Sequence, residues 1–535
     1  MAAESAPVLV VGGRTTGLMM GAELARHGVP VRIIDKSPGI DPHSRATYLR
    51  ARTLEIFHGL GLAEEIVAKG QPLKAVGLYA NGKHVATTPD LPVDSPFPWG
   101  AAFAQCKTEA ILERHLNRLG VEVERQTELI AVEQSHADVQ ATVKKPDGAE
   151  ETISAPWVVG CDGAHSTTRT LIDETFPGEI DPVPYLIADV LVDGPIKPEV
   201  AYICLHEKGD VFLFLLDEGR RQIIATLPKN SQRSAPPTLE ELQRLVDERG
   251  FTDLRMHDPR WITVYHTHYR LAPHYRQGRV FLAGDAAHIH SVIGGQGMNT
   301  GIQDAHNLAW KLALVMRGVA PSWWLDTYES ERRQIAADVI AWTKEANDQL
   351  TLFSELSSAE RNRIREQPVV PESERVKLRK HEEEIDLDYR ASRLSHESDD
   401  AFFVGPHPGA RAPDATPLLI GGNRSSFIEA LTAPKFHLLL FSASETGRLE
   451  SDLVQVVEET LDAHADWLKV LAVGRVETET RLPAGATLLE DPHLALRRRY
   501  GGDVARLYLI RPDGYVAFRS RKLGSLDDYL RRVLN

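Results

Sequence analysis

The stretch VLVVGGRTTG, residues 8–17, decides the fold of the chain. Its four apolar residues predict a buried strand, its glycines predict a tight turn, and the apolar run from Leu18 to His27 predicts a helix. A second predicted strand, Val31–Ile34, ends at Asp35. This order of strand, turn, helix and strand predicts the nucleotide-binding half of a Rossmann-like domain.

The glycine cluster keeps the first and last glycines of the dinucleotide-binding motif G-x-G-x-x-G, as Gly12 and Gly17. Arg14 stands where the second glycine normally lets a pyrophosphate approach the backbone. Amide groups at the start of the helix can bind phosphate, and Asp35 can accept hydrogen bonds from ribose hydroxyls. A purely structural turn is the alternative. The residues predicted for this part of the site are Gly12, Gly13, Arg14, Thr15, Thr16, Gly17, Asp35 and Lys36.

Two further glycine-containing turns follow predicted strands. One is Cys161-Asp162-Gly163, and the other, Gly284-Asp285, is followed by a glycine-rich segment and a predicted helix over 301–317. Glycine has no side chain, and so a planar ligand can lie directly against the backbone of a glycine-rich segment. A helix N-terminus stabilises negative charge that develops on that ligand. The residues predicted for this part of the site are Asp162, Gly284, Asp285, Gly295, Gly297, Met298 and Asn299.

Two more regions complete the predicted α/β fold. From about 175 to 275, short β-type segments separated by Gly, Pro and Asp predict a sheet. Beyond about residue 406, strands alternate with helices, which predicts a small α/β domain. We therefore expect a Rossmann-like domain (1–175 and 275–400), an inserted β-sheet substrate domain (176–274) and a C-terminal domain (401–535).

Composition excludes several classes of protein. The 535 residues are 42% hydrophobic and 25% charged, which are ordinary values for globular proteins. Three cysteines cannot form a disulfide scaffold in a chain of this size, and a net charge of −14 gives no reason to expect nucleic-acid binding. Without a signal peptide or an apolar run of about 18 residues, we expect a cytoplasmic protein that does not bind membranes. We expect no metal site.

The order of these motifs resembles that of the single-component, FAD-dependent aromatic hydroxylases, which are group A flavoprotein monooxygenases. The resemblance covers roughly residues 7–345. The stretches that carry it are Gly12–Gly17 with Asp35, Ser44–Ala46 with Arg52–Glu55, Gln105 with Glu109, Gly160–Ser166 with Arg169, and Gly278–His288 as far as Asp304. The C-terminal region is similar to the thioredoxin-like domain of the phenol hydroxylase branch. It lacks Cys-x-x-Cys, which excludes thiol redox chemistry there.

This resemblance implies a role for each polar residue of the site. Asp35 would hold the adenosine ribose, and Arg45 and Gln105 would contact the phosphate and ribityl region of FAD. Asp285 would bind the ribityl chain or the pyrophosphate, and Asp162 would link FAD binding to NADPH binding. The backbone amides that would face the flavin pyrimidine edge are those of Met298 and Asn299.

The activity implied by the resemblance is hydroxylation of a phenolic or polycyclic aromatic substrate with NADPH or NADH, O₂ and a C4a-hydroperoxyflavin. A base would help, because a deprotonated phenol is more nucleophilic at its ortho and para carbons. Ser291-Val292 replaces the usual Pro-Pro near the flavin C4a, which leaves the substrate class open. Baeyer–Villiger oxygen insertion or epoxidation on the same fold is one alternative. A flavin-free binding protein, in which Arg14 has destroyed the cofactor site, is another.

Substrate-side residues are predicted from strand patterns and from proximity to the motifs. Phe212 and Phe214 alternate on one face of a predicted strand, where they would contact an aromatic ring or form an ordinary core. Tyr48 follows the motif at Arg45 and would bind a phenol or serve the structure alone. The complete set of candidates is Tyr48, Tyr202, His206, Phe212, Phe214, Val292 and Gly294. The sequence identifies no base, and a homodimer is one candidate assembly.

Overall fold

The computed structural model describes most of the chain. The described residues are 6–229, 231, 236–291, 294–355, 371–398, 404–442, 451–474, 482–503 and 507–535. Val292, one of the predicted substrate-side residues, lies outside them.

The described elements of the first part of the chain lie between residues 8 and 171. The strands are β1 (Val8–Val11), β2 (Val31–Asp35), β3 (Tyr48–Leu49), β4 (Ala75–Ala80), β5 (Lys83–Pro89), β6 (Ala101–Ala102), β7 (Val123–Arg125), β8 (Glu128–Gln134), β9 (Val139–Lys144), β10 (Glu150–Ala155) and β11 (Val158–Gly160). The helices are α1 (Thr15–Arg26), α2 (Ala51–Gly59), α3 (Ala63–Lys69), α4 (Gln105–Arg118) and α5 (Thr167–Leu171).

The described elements of the middle part follow in chain order. The strands are β12 (Gly178–Asp193), β13 (Val200–Leu205), β14 (Val211–Leu215), β15 (Arg221–Thr226), β16 (Arg255–Leu271), β17 (Arg276–Gln277), β18 (Val280–Leu282) and β19 (His288–Ile289). The helices are α6 (Leu239–Glu248), α7 (Gly297–Met316), α8 (Asp326–Glu355) and α9 (Glu372–Glu382). Two 3₁₀ turns span Gly284–Ala286 and Ser322–Leu325.

The described elements of the C-terminal part are mostly short. The strands are β20 (His396–Glu397), β21 (Leu418–Ile420), β22 (Asn423–Ser425), β23 (Phe436–Phe441), β24 (Leu468–Gly474), β25 (Thr487–Glu490), β26 (Leu507–Ile510) and β27 (Val516–Ser520). The helices are α10 (Phe427–Ala430), α11 (Ser451–His464), α12 (Ala495–Tyr500) and α13 (Ser525–Leu534).

The first sheet has the strand order β17-β18-β11-β1-β2-β7 and is parallel from β18 to β7. β1 is apolar throughout and buried, as expected for a central strand of a parallel sheet covered on both faces. Strands β1, β2, β11 and β18 all end at the same edge, and this edge collects Gly12, Asp35, Cys161 and Gly284. The predicted Rossmann-like sheet and the α/β class are confirmed.

Two predicted helix starts are wrong by three residues. Helix α1 begins at Thr15 rather than Leu18, because Arg14 is extended and the turn leads directly into the helix. The sequence predicts another helix over residues 108–119 with Thr108 as its N-cap, but helix α4 begins at Gln105, and so Thr108 lies inside its first turn instead of capping it. The Thr108 hydroxyl donates a hydrogen bond to Ala104 O at 3.3 Å.

The second sheet has eight strands in the order β19-β16-β12-β15-β14-β13-β4-β5. It extends beyond the segment 176–274 predicted for it, because β4 and β5 come from residues 75–89 and β4 pairs in parallel with β13. Such pairing between distant segments has no local sequence signal. One face of the sheet packs with Leu242 and Val246 of α6 in a hydrophobic core, and the other face is directed toward the first sheet.

The C-terminal sheet has the order β20-β27-β26-β23-β24-β25-β21-β22. Trp310 of α7 and Trp324 are fully or almost fully buried, and they pack edge to face on Phe436 of β23. Beside them lies a buried ion cluster in which Glu331 accepts hydrogen bonds from Lys311 Nζ at 2.7 Å and from both terminal nitrogens of Arg511 at 2.8 Å. The C-terminal region is therefore packed tightly onto α7 and α8. Its thioredoxin-like character and the three domain boundaries stay predictions.

No helix within the described ranges combines the length and the apolar composition that crossing a membrane requires.

Candidate active site

A cavity of about 1500 Å³ lies where the carboxyl edge of the first sheet meets the open face of the second. The predicted cofactor residues that line it are Gly12, Arg14, Thr15, Thr16, Asp35, Lys36, Arg45, Gln105, Asp162, Asp285, Gly295, Gly297 and Met298. The predicted substrate-side residues that line it are Tyr48, Phe212, Phe214 and Gly294. The fold thus brings residues from distant parts of the sequence into one space.

Glycines build the turn at the end of β1 because no side chain fits there. Gly12 has φ +107°, and a Cβ on it would lie 2.4 Å from Cys161 O. A Cβ on Gly17 would lie 1.8 Å from Gly12 O, and one on Gly284 would lie 2.6 Å from Thr16 Oγ1. Contacts under 3 Å require the backbone or a neighbour to move. Gly17 and Gly284 therefore shape the site, although they do not line the cavity.

The Asp35 carboxylate is fixed at the end of β2. Gly13 N donates to its Oδ2 at 2.5 Å, and Ser37 N donates to its Oδ1 at 2.6 Å. A Cβ on Gly13 would come within 3.1 Å of Asp35 Cβ, and so this glycine allows the acid to approach the turn. The arrangement presents an oriented acceptor to the cavity, which suits a ribose hydroxyl.

Asp285 projects into the cavity from the 3₁₀ turn after β18. The Asp285 side chain is exposed to the cavity, and protein atoms surround its carboxyl group on the other sides. That enclosure raises the pKa of the Asp285 carboxyl, while His288, Arg45 and Arg14 act in the opposite direction. A carboxyl held in this way can accept hydrogen bonds from the hydroxyls of a polyol.

Asp304 of α7 holds the Gly284-Asp285 turn in place. Its Oδ2 accepts hydrogen bonds from Gly284 N at 3.0 Å and His288 Nε2 at 2.7 Å, and its Oδ1 accepts one from Arg332 Nε at 2.7 Å. Burial alone would raise the pKa of the Asp304 carboxyl, but His288 and Arg332 outweigh burial and lower it. Asp304 is therefore a charged anchor behind the site rather than a ligand-binding group.

Helix α7 begins at Gly297, and its first amides face the cavity. The Asn299 side chain does not point at a ligand. It donates to Tyr48 O at 2.9 Å and Gly295 O at 2.8 Å, and it accepts from Arg50 N at 3.0 Å. Asn299 thus fastens β3 to the glycine turn, and its predicted contact with a ligand can involve only its backbone amide.

Comparison with known proteins identifies this arrangement. A family model described as FAD binding domain matches residues 5–343. An uncharacterized aromatic compound monooxygenase, YhjG of Bacillus subtilis, is 33% identical over 95% of this chain and 93% of that protein. The 6-methylpretetramide 4-monooxygenase of Streptomyces rimosus is 32% identical over 98% of this chain and 92% of its own length. The chain belongs to the FAD-dependent monooxygenases.

Solved structures agree with this assignment. The ternary complex of aklavinone-11 hydroxylase with FAD and aklavinone has a TM-score of 0.78 and 27% identity, with 100% of both chains covered. The flavin-dependent monooxygenase PieE, in complex with FAD and substrate, has a TM-score of 0.82 at 22% identity over 99% of both chains, and so it supports the fold alone.

The residues of this monooxygenase fit FAD. The bare turn at Gly12 leaves room for a pyrophosphate, the start of α1 offers amides to it, and Asp35 faces the place of a ribose. Asp285 offers an acceptor to the ribityl chain, and the start of α7 can stabilise negative charge on the flavin ring. Each of these features is chemically suited to one part of the dinucleotide.

Arg14, the departure from the glycine motif, is held by two carboxylates. Its Nε donates to Glu109 Oε1 at 3.1 Å, and its Nη1 lies 3.4 Å from Asp41 Oδ2. The fully buried Glu109 Oε1 also accepts Thr15 N at 3.2 Å and Gln105 Nε2 at 2.9 Å. The guanidinium is therefore held by acidic side chains of other segments while it lines the cavity.

Arg14→Gly is expected to keep FAD, with a dissociation constant within about threefold of wild type, because Thr15 and Gln105 still hold Glu109. Titration of apoprotein with FAD, followed by flavin fluorescence, measures this. A charge-assisted hydrogen bond to phosphate would instead be worth about 1.5–3 kcal/mol, or roughly 10- to 100-fold in affinity. A loss of that size would show that Arg14 binds the cofactor itself.

Asp162 lines the cavity and also caps α5. Its Oδ1 accepts from Ser166 Oγ at 2.5 Å, and its Oδ2 accepts from Thr168 N at 2.9 Å. Both oxygens are thus engaged in forming the turn after β11. The link between FAD and NADPH that the resemblance implies for this residue stays a prediction.

Aromatic side chains form the wall of the cavity on the second sheet. Phe212 and Phe214 lie nearly parallel with ring centroids 5.9 Å apart, and Tyr185 and Tyr265 stack at 5.5 Å. All four line the cavity. Tyr185 and Tyr265 are not predicted from the sequence, because their long strands β12 and β16 carry both polar and apolar residues on each side.

Tyr202 and His206 lie away from this wall. Because Phe212 pairs with Ile203 across β13 and β14, Phe212 shares a face with Ile203, and Tyr202 faces the core on the other side. The Tyr202 hydroxyl accepts a hydrogen bond from Lys197 N at 2.8 Å. His206 lies at the hairpin after β13, where its Nδ1 accepts from Lys208 N at 3.0 Å. Neither residue lines the cavity, and so the fold does not bring them together with the other predicted substrate-side residues.

Helix α9 closes the cavity opposite the aromatic wall. The sequence of this segment is highly charged and predicts an exposed helix, and within α9 only Arg379 is buried. Arg379 is 7% exposed, and Glu383, directly after the helix, is fully buried. Both side chains pair with charged groups of other segments: Arg379 lies 2.6 Å from Asp90, and Glu383 accepts from Arg50 at 3.1 Å. These two charged side chains, which the sequence predicts to be exposed to solvent, are instead paired with opposite charges in the interior of the protein.

Proposed function

We propose that the protein hydroxylates a phenol with more than one ring, using FAD, reduced nicotinamide and O₂. The two stacked aromatic pairs, which line the same cavity as the glycine turns, are the observation that carries this proposal. Flat aromatic side chains bind flat aromatic ligands through offset or edge contacts, and these pairs cover a wide apolar wall.

The size of the cavity supports a large substrate. Sites for one drug-sized ligand usually enclose about 300–1,000 Å³. The cavity of about 1500 Å³ exceeds that range, as expected if FAD and substrate occupy it together. Two names of relatives agree, 6-methylpretetramide 4-monooxygenase and anhydrotetracycline monooxygenase, whereas pentachlorophenol 4-monooxygenase, at 28% identity, is named after a phenol with one ring.

The cofactor supplies the redox chemistry when bound, and the protein supplies binding, orientation and exclusion of water. Gly12, Asp35 and Asp285 bind the dinucleotide, and the start of α7 orients its ring. The aromatic wall positions the substrate ring and keeps bulk water from the reacting atoms.

Incubation of the purified protein with NADPH, isotope-labelled O₂ and 2-naphthol or larger polycyclic phenols tests the proposal. We expect the visible absorption of bound flavin, NADPH oxidation that the phenol stimulates, and one labelled oxygen atom as a new ring hydroxyl. Labelled oxygen inserted next to a ketone would favour Baeyer–Villiger chemistry. Protein that lacks flavin absorption and does not acquire it with added FAD would be a flavin-free binding protein.

A further inference from the structure

Asp90 lies directly after β5 and lines the cavity with its side chain 7% exposed. Its Oδ1 forms an ion pair with Arg379 Nε at 2.6 Å. Its Oδ2 is buried and has no hydrogen-bond partner among the described residues. Buried carboxylate oxygens nearly always have partners, and so an unpaired oxygen in a residue that lines the cavity points to a donor that a ligand provides.

An ion pair and a chain of hydrogen bonds connect Asp90 to the turn at Gly294. Arg50 donates from Nη2 to Gly294 O and from Nη1 to Glu383 Oε1 at 3.1 Å. The same Glu383 oxygen accepts from Arg379 Nη2 at 3.0 Å, and Arg379 pairs with Asp90. The carboxylate is thereby held at a fixed place in the substrate half of the cavity.

The electrostatic surroundings set the proton affinity of this group. Burial raises the pKa of the Asp90 carboxyl to about 6, and Glu382 and Glu383 add to the increase while Arg379 and Arg50 oppose it. The group is therefore ionised at neutral pH but holds a proton more strongly than an ordinary aspartate. A base with a pKa near the working pH is the efficient choice for proton transfer.

Other groups at this end of the cavity are less suited to accept a proton. The Tyr48 hydroxyl donates to Trp99 O, and burial raises its pKa well above the ordinary value. Both Glu383 oxygens are engaged, since Oε2 accepts from Ala51 N at 2.6 Å. Burial lowers the pKa of His290 to about 4, and so its imidazole resists protonation.

We propose that Asp90 accepts the proton of the substrate's phenolic hydroxyl and that Arg379 pairs with the resulting phenolate oxygen; this rests on the proposed function. The phenolic O–H bond breaks, its electron pair stays on the phenol oxygen, and the proton forms an O–H bond with the Asp90 carboxylate. No electron transfer accompanies this step. The phenolate is then more nucleophilic at its ortho and para carbons.

The test compares the pH profiles of kcat/KM for hydroxylation of 2-naphthol by wild-type holoenzyme and by Asp90→Asn. The wild-type profile should fall below about pH 6, where Asp90 becomes protonated. Asp90→Asn should be about 100-fold slower at neutral pH, and its rate should rise about tenfold per pH unit, because only phenolate formed in solution reacts. Asp90→Glu should recover part of the rate and the acidic limb.

Asp94→Asn is the matched control, since its side chain is 43% exposed and pairs at the surface with Arg499. It should keep the wild-type profile, and equal flavin content in all variants shows that the fold is intact. A wild-type enzyme that hydroxylates none of the phenols would refute the proposed function. An active wild type with an unchanged profile in Asp90→Asn would refute the role of Asp90 alone.

Discussion

Gly17→Ala is expected to lower FAD affinity by about 100-fold, or roughly 3 kcal/mol. The new Cβ would lie 1.8 Å from Gly12 O, which is backbone and cannot rotate away. The first turn of α1 must therefore move, and the amides that face the pyrophosphate move with it. Flavin fluorescence during titration of the apoprotein measures the dissociation constant.

Gly39→Ala is the matched control for this substitution. No atom lies within 4 Å of the place of its Cβ, and its φ is outside the left-handed region. Its FAD affinity should stay within about threefold of wild type, as for most surface substitutions. If Gly17→Ala bound FAD as tightly as Gly39→Ala, the turn after β1 would not be the cofactor site.

Glu331→Ala is expected to lower the free energy of unfolding by about 3–5 kcal/mol, because it removes the acidic partner of buried Lys311 and one of the two carboxylates that pair with buried Arg511. The side chains of all three residues are at most 1% exposed. Urea or thermal unfolding, followed by tryptophan fluorescence, measures the loss, since Trp310 lies beside the cluster.

The same ion cluster predicts a pH dependence of stability. Burial would raise the pKa of the Glu331 carboxyl, but Arg511 and Lys311 outweigh burial and lower it strongly. Its contribution to stability is therefore present above the ordinary pKa of 4.5 and is lost as the pH falls below that value. Glu331→Ala should remove this part of the acid sensitivity.

Glu345→Ala on the same helix is the control, because this exposed residue only accepts a hydrogen bond from Gln349 at 3.2 Å. Its effect should stay within about 0.5 kcal/mol. Equal stability of the Glu331 and Glu345 variants would contradict the view that the ion cluster holds the C-terminal region.

The sequence was sufficient to predict the first sheet and the turns that meet at its carboxyl edge, because the signals for them are local. A strand, a glycine turn and a helix start follow one another within about ten residues, and the parallel sheet must bring Gly12, Asp35 and Gly284 to one edge. Gly17 is required because a Cβ at this position would collide with the backbone of the same turn. A requirement that arises within one turn can be recognised from the local sequence.

The part of the cavity proposed to bind the substrate is formed by contacts between distant segments. Such contacts cannot be recognised from the local sequence. Whether Tyr202 faces the cavity or the core depends on the alternation along β13, and a shift of one residue reverses the outcome. Asp90 and Arg379 are about 290 residues apart, and neither belongs to a motif. The charged residues of α9 have the pattern of a surface helix, and the sequence alone does not indicate that one of them pairs with a buried charge.

Helix α7 has a consequence for exchanging parts between relatives of this enzyme. Its 20 residues span about 30 Å, with residues that line the cavity at its start and with Trp310 and Lys311 toward its other end. A chimaera that receives a foreign C-terminal region must also receive matching partners for Trp310, Lys311 and Glu331. Otherwise the mismatch displaces a helix whose first residues line the cavity, and we expect the monooxygenase activity to fall although the junction is distant from the cavity.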